Sequence, residues 1–353
     1  MDKMTIEFGI SSFGDVESPT GSIPHAQRLQ EIIEEMKMTD KVGLDIFAIG
    51  EHHRKDYAVS SPDTLLAAGA AVTKNIKLST AVTVLSSEDP IRVWERFATI
   101  DGISNGRAEI MAGRGSFIES FPLFGYELND YEQLFEEKLA LLVELQKGHR
   151  DKLPITFRGE LQHSVENITL YPDTVQETLP IWIAAGGSPG SAVRAAKYGL
   201  PLMLAVIGGS PYQFRDFIDL YKRSWVNSNH KIEDLQFGLN MHGFIADTNE
   251  EAKEIYFPAA SHMMNRIGSE RGWGATYTEN YFDRLTSETG ALLVGDVETV
   301  AQKLSTFIRA LGVTRFIMQT PVGYIKHDAV LKNIELFGTK VVPRVKELLA
   351  EEN

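Results

Sequence analysis

None of the 353 residues is a cysteine. That excludes disulfides, thiolate metal sites and cysteine nucleophiles together. No apolar run approaches the ~18 residues a membrane-spanning helix needs, and the opening stretch MDKMTIEFG lacks the apolar core of a secretory signal. The expectation is a cytoplasmic protein with no membrane partner. Positive charge is also scarce: 35 Lys and Arg face 48 Asp and Glu, for a net charge of −13. Nucleic-acid-binding surfaces usually carry the opposite balance, so no nucleic-acid partner is expected. The nine histidines include no His-x-His or His-x-x-x-His pair. A metal site needs spaced donors converging on one point, which argues against a bound metal.

What is present is an alternation of short β-rich runs with longer helical patterns. The candidate strands are Ile6–Ser11, Asp45–Gly50, Lys77–Leu85, Ala108–Ala112, Ile181–Ala185, Leu202–Ala205, Phe237–Ala246 and Arg315–Gln319. Segments such as HAQRLQEIIEEMKMTDKVG and DYEQLFEEKLALLVELQKG carry helical period between them. In the second, Asp130 suits the N-cap and Gly148 the C-cap; Asp296 and Gly312 bracket a later helix in the same way. Eight strands, each followed by a helix, predict an α/β fold, a closed (β/α)8 TIM barrel. The rival is a doubly wound open sheet. Its phosphate turn is missing, because SSFGDVESPTGS after the first strand is a long loop with no Gly-x-Gly-x-x-Gly.

Residues 1–353 are read as one barrel domain. A barrel takes ~250 residues, so roughly 100 remain for insertions. Two stretches break the alternation, near 147–178 and near 268–290, and both are expected at the C-terminal face. The first holds ITFRGE and HSVENITLYP, which suit a small hairpin; the second mixes glycines with Trp273, Tyr277, Tyr281 and Phe282, as a lid would.

Barrel enzymes keep their chemistry at the C-terminal ends of the strands. After the fifth strand come Gly186, Gly187 and Ser188, then a helix from Ser191. Glycines let backbone N–H groups approach an anion, and the helix N-terminus favours negative charge. Helix capping by the serines is the plainer explanation. After the fourth strand Arg114 lies between Gly113 and Gly115, and its planar fork suits a phosphate. Arg107 precedes that strand and belongs to the structural end. After the second strand stand Glu51, His52 and His53. In extended chain Glu51 and His53 share one face and His52 takes the other. A metal site, a packed corner, or one imidazole acting as base or hydrogen-bond donor near a cofactor all remain open.

GEHH after strand two, TAVTVLSSEDPIRVWERFATIDGISNGR, AGRGSFIESFPLFGY and LPIWIAAGGSPGSAVRAAKYGLPLM together resemble the bacterial luciferase-like flavin-dependent monooxygenases. The resemblance runs in order from strand one to the last helix. It implies FMN at the barrel mouth, used as FMNH2 with O2 to oxygenate a small organic substrate. It also implies a separate flavin reductase and a homodimer. By position it assigns His52 to catalysis beside the flavin ring. Ala81 and Val82 would back the ring, and their peptide bond is expected to be cis. Arg114, Gly115 and Ser116 would lie near phosphate and flavin. Ala185, Gly186, Gly187, Ser188 and Ser191 would form the phosphate turn. Three positions depart from the luciferases: Gly113 replaces a reactive cysteine, Gly187 an acid, and Asp89 a frequent histidine. A non-luminescent oxidoreductase is therefore expected. Hydride transfer with a flavin or deazaflavin is the enzymatic alternative, and a non-catalytic flavin-binding barrel is the other.

Overall fold

The structure, a computed structural model, describes residues 6–115, 117–272, 274 and 276–351. Ser116 and Trp273, both singled out above, lie outside the described residues. Every expected β-rich run contains a strand. They are β1 (Glu7–Ser12), β2 (Ile46–Ile49), β3 (Lys77–Thr80), β4 (Thr83–Val84), β5 (Ile110–Gly113), β6 (Ile181–Ala185), β7 (Leu202–Val206), β8 (Phe237–Ile245), β9 (Leu293–Gly295) and β10 (Arg315–Gln319). All pair in parallel, in the order β3-β2-β1-β10-β8-β7-β6-β5-β4, with β9 against β8. The two ends of that path, β3 and β4, are successive pieces of the third expected run. Between them lies the Ala81–Val82 peptide, which is cis. A parallel bridge from Leu78 to Ala108, just ahead of β5, spans the seam. The sheet therefore curls into a barrel, as expected.

β9 is an addition to the expected set. Among the described residues it pairs with Gly243–Ile245, the last three residues of the long β8. The loop after β1 also contains a short antiparallel pair, Glu17–Ser18 with Gly21–Ser22, which the polar sequence did not suggest.

The surrounding helices include α1 (His25–Lys41), α2 (Pro62–Val72), α3 (Pro90–Ser104), α4 (Tyr131–Asp151), α5 (Pro189–Tyr198), α6 (Arg215–Asn227), α7 (Asn249–Glu270) and α8 (Val297–Leu311). α8 starts where Asp296 accepts a hydrogen bond from the Thr299 N–H at 2.8 Å and stops at Gly312, as its sequence signals indicate. α4 corrects its expected ends. Asp130 holds the N-cap position without a capping side-chain bond, and the helix runs through Gly148 to stop at Lys152. Gly148 serves packing instead: a Cβ there would lie 2.3 Å from Ile155.

Ile155 belongs to the first insertion, where Ile155–Phe157 and Val165–Ile168 form the expected hairpin. Its placement differs from expectation. The segment joins the end of α4 to the start of β6, and the Glu137 carboxylate on α4 accepts the N–H groups of Glu160, Leu161 and Gln162. The hairpin therefore packs along the flank of α4, and it contributes no residue to the cleft lining at the C-terminal ends of the strands.

Ile46, Ala48, Met111, Trp182, Met203 and Ile317 fill the barrel interior. Burying an aliphatic or aromatic side chain of this size contributes about 1.5–3 kcal/mol each. Beneath them lie charges from the first turns of the strands. Arg315 donates to Glu7 at 2.8 Å and to Glu109 at 3.0 Å, and its guanidinium stacks 3.9 Å from the Trp182 ring centroid. Lys77 pairs with the same Glu7. Arg107 is structural, as its position before β5 suggested, donating to the carbonyls of Ile76, Ala70 and Thr73 at 2.6–3.1 Å. Among the described residues no helix is long and apolar enough to cross a membrane.

Candidate functional site

At the opposite end the strands open into a cleft of about 420 Å³, within the range of small-molecule and cofactor sites. Its walls bring together Ala81, Val82, Arg114, Gly115, Ala185 and Gly186, which come from the C-terminal ends of three different strands and the loops after them. Met111, Met203, Met263, Ile267 and Ile317 make most of the remainder apolar. A side cavity of about 40 Å³ adjoins it and shares Phe13, Ala81, Val82, Gly115 and Phe117. His52 lines only the side cavity.

The alternation of Glu51, His52 and His53 resolves as extended chain requires. His53 Nε2 meets Glu51 Oε1 at 2.9 Å, and the other Glu51 oxygen accepts the Val84 N–H at 3.3 Å. The Glu51 hydrogen bond raises the His53 pKa. That half of the motif is a packed corner tying β2 to β4. His52 faces the other way, into an aromatic cage. Its ring centroid lies 4.2 Å from Tyr57, 4.7 Å from Phe117 and 4.9 Å from Phe13. Nδ1 is 3.5 Å from Glu119 Oε1, close enough for attraction but without an aligned hydrogen bond. Burial lowers the His52 pKa, and Glu119 offsets this only in part. The imidazole is therefore held neutral, able to donate from one nitrogen and accept at the other.

Across the cleft, α5 begins at Ser188 directly after β6. Gly187 has φ +102°, and a Cβ there would lie 2.5 Å from the Phe214 ring; Gly186 faces open space. Only glycine fits the first position, and the second leaves the backbone bare to a ligand. The Ser188 and Ser191 hydroxyls hydrogen-bond each other at 2.7 Å at the helix N-terminus. Ser188 makes no side-chain capping bond, so capping does not account for the pair. Arg114 reaches out to Glu132 on α4 and lies 5.4 Å from the Tyr131 ring centroid. Glu132 is more than half exposed, and an exposed partner of this kind is worth at most about 1 kcal/mol. A phosphate could displace it. The turn, the guanidinium and the apolar wall of Ala81 and Val82 thus fit a phosphorylated ligand with a flat apolar ring.

The cleft also contains polar groups that sequence reasoning did not single out. Asn240 donates to Ser11 Oγ at 3.0 Å. Burial lowers His242 to about 4 despite a hydrogen bond with Gln319. Burial raises the Asp15 carboxyl to about 6, against the pull of the Gly323 N–H and the Arg28 charge. Arg271 lines the cleft, 4.5 Å from the Phe117 ring centroid. The end of α7 is tied down beside it: Arg54 pairs with Glu270 at 2.8 Å, and Arg266 with Glu17 and Asp56. Among the described residues no three His, Asp or Glu side chains gather as a metal site.

A barrel with this mouth and this pattern of loops belongs to a known class. Residues 6–315 match the model of the luciferase-like monooxygenases, and the chain belongs to that family. It is 27% identical to the N-acetyl-S-alkylcysteine monooxygenase of Bacillus subtilis (strain 168), over 84% of this chain and 88% of that one. Among solved structures it is similar to monooxygenase RslO1 from Streptomyces bottropensis, with TM-score 0.81 and 22% identity over 96% of this chain and 99% of that one. It is also similar to the oxygenating constituent of 3,6-diketocamphane monooxygenase of Pseudomonas putida in complex with FMN. There the TM-score is 0.77 at 18% identity, over 97% of this chain and 99% of that one.

Proposed function

We propose that this protein is a flavin-dependent monooxygenase that binds FMN in the cleft and, with O2, oxygenates a small organic substrate. One observation carries the proposal: Ala185 and Gly186 of a glycine turn at a helix N-terminus, the Arg114 guanidinium and an apolar wall line a single cleft, next to a histidine in an aromatic cage. The Ala185–Ser191 turn and Arg114 would hold the phosphate, with Gly115 beside them. Ala81 and Val82 would support the ring. When bound and reduced, FMN supplies the electrons that activate O2.

The protein's own part is binding, dryness and proton control. Phe13, Tyr57 and Phe117 keep water from His52, whose neutral ring would hold or pass one proton at the flavin edge. Arg271 and the end of α7 would cover the mouth. A separate reductase would deliver reduced FMN, a reading supported by the relative described as an oxygenating constituent. A cytoplasmic homodimer is part of the same proposal.

The test is FMN titration by fluorescence, followed by NADH consumption with a generic flavin reductase across a substrate panel. Absence of both binding and substrate-dependent turnover would overturn the reading. His52→Ala should bind FMN within a few-fold of wild type. Its coupled oxygenation should fall by about a hundredfold or more, as for loss of a proton-transfer group. Full turnover in that variant would remove His52 from the chemistry.

A further inference from the structure

Most polar groups on the cleft wall already have partners, but Asp15 has half of its capacity unused. It lies in the loop after β1 and is only 2% exposed. Gly323 N–H donates to Oδ1 at 2.9 Å, while Oδ2 accepts no hydrogen bond. An unpaired buried carboxylate oxygen costs more than almost any other defect of comparable size. Arg28 attracts the carboxylate by charge, but among the described residues no neighbour donates a hydrogen bond to Oδ2. Tyr57 pairs its backbone with Asp15, but its hydroxyl points to Met263 Sδ at 3.7 Å. Asp15, Tyr57, Met263 and Val322 all line the same cleft.

The position in the barrel gives this oxygen its meaning. In the sheet order β1 lies across the barrel from β5 and β6, whose loops carry Arg114 and the glycine turn. We infer that Asp15 orients the substrate: its free oxygen accepts a hydrogen bond from a hydroxyl or amide N–H on an otherwise apolar molecule. The inference rests on the flavin reading above, because a flavin on the Arg114 side leaves the Asp15 side to substrate. A neutral donor suits the site better than a cation, since Arg114 and Arg271 both line the cleft. The methionines and aliphatic side chains around it then accommodate the rest of the molecule.

Matched probes test this: 4-methylphenol, which has one donor, and 4-methylanisole, which has none. Each is titrated calorimetrically into the FMN-loaded protein, wild type and Asp15→Asn. The asparagine retains an acceptor for Gly323 N–H and replaces the free oxygen with a donor. Wild type should prefer the phenol by at least about tenfold, the discrimination expected of a site built around one hydrogen bond. In Asp15→Asn the preference should fall below threefold, with 4-methylanisole and FMN affinities unchanged. Equal affinities in wild type, or an intact preference in the variant, would overturn the inference. Should Asp15→Asn not fold, wild-type affinities for 4-methoxy-, 4-chloro- and 4-cyanophenol decide. Affinity rising with hydroxyl acidity supports a carboxylate acceptor, and a flat series overturns it. Loss of FMN binding by the wild type would be a different failure, that of the flavin reading.

Discussion

At the floor of the barrel Arg315 and Lys77 face Glu7 and Glu109, two cations against two anions enclosed by the strand starts. At the mouth Arg114 leans on an exposed glutamate, Asp15 keeps an oxygen unpaired, and His52 Nδ1 has no aligned partner. Both ends hold charged or titratable groups near the barrel axis. The floor matches each charge with an opposite one inside the barrel, although Arg315 Nη1 and Glu109 Oε2 still lack hydrogen-bond partners there. At the mouth the charges are matched only by an exposed partner or by a single hydrogen bond, which leaves them open to a ligand.

The largest expected effect therefore lies at the floor. Arg315→Met leaves Glu109 buried without its cation and should cost about 3–5 kcal/mol in urea unfolding. The folded fraction should bind FMN within a few-fold of wild type. Arg114→Ala should show the reverse. Its exposed partner makes the stability loss smaller than about 1 kcal/mol. FMN affinity should fall ten- to hundredfold, or about 1.5–3 kcal/mol for a charge-assisted hydrogen bond. If Arg114→Ala proved strongly destabilising with unchanged FMN titrations, the contrast between the two ends would collapse.

Lys303 sharpens the comparison because it is buried with carbonyl acceptors. Its Nζ donates to Leu292 O at 2.7 Å and Leu285 O at 3.1 Å, tying the second insertion to α8. Burial lowers it from 10.5 to about 7. Between those values the unfolded chain carries the proton and the folded protein does not. Unfolding then takes up about one proton, so stability rises with pH by roughly 1 kcal/mol per unit. Urea midpoints at pH 8 and 9 should show that rise in wild type and a smaller one in Lys303→Met. An equal slope in both would assign the pH dependence to other groups.

The strands were legible because both faces of a barrel wall are buried, which produces runs such as IFAI, IWIAA and RFIMQ. The glycine turn after β6 was legible because glycines and serines directly follow such a run. Alternation separated His52 from His53, but the cage around His52 was hidden, since Phe13 and Phe117 arrive from other loops. β9 is three residues long, too short to show a period. Asp15 reads as an ordinary loop acid. Its carboxylate accepts a hydrogen bond from Gly323, 308 positions away, and nothing local announces such a contact. The first insertion was expected as a small hairpin at the C-terminal face; the hairpin forms, and contacts to Glu137 hold it against α4.

The charged floor and Trp182 also stopper the barrel, so traffic has one doorway. On the proposed function, flavin and substrate would lie on opposite sides of the cleft and share that doorway. Spent flavin would have to leave for its reductase past any substrate or product in the opening, so excess substrate would slow exchange. Turnover would decline at high substrate concentration, with recovery set by how fast product clears the doorway.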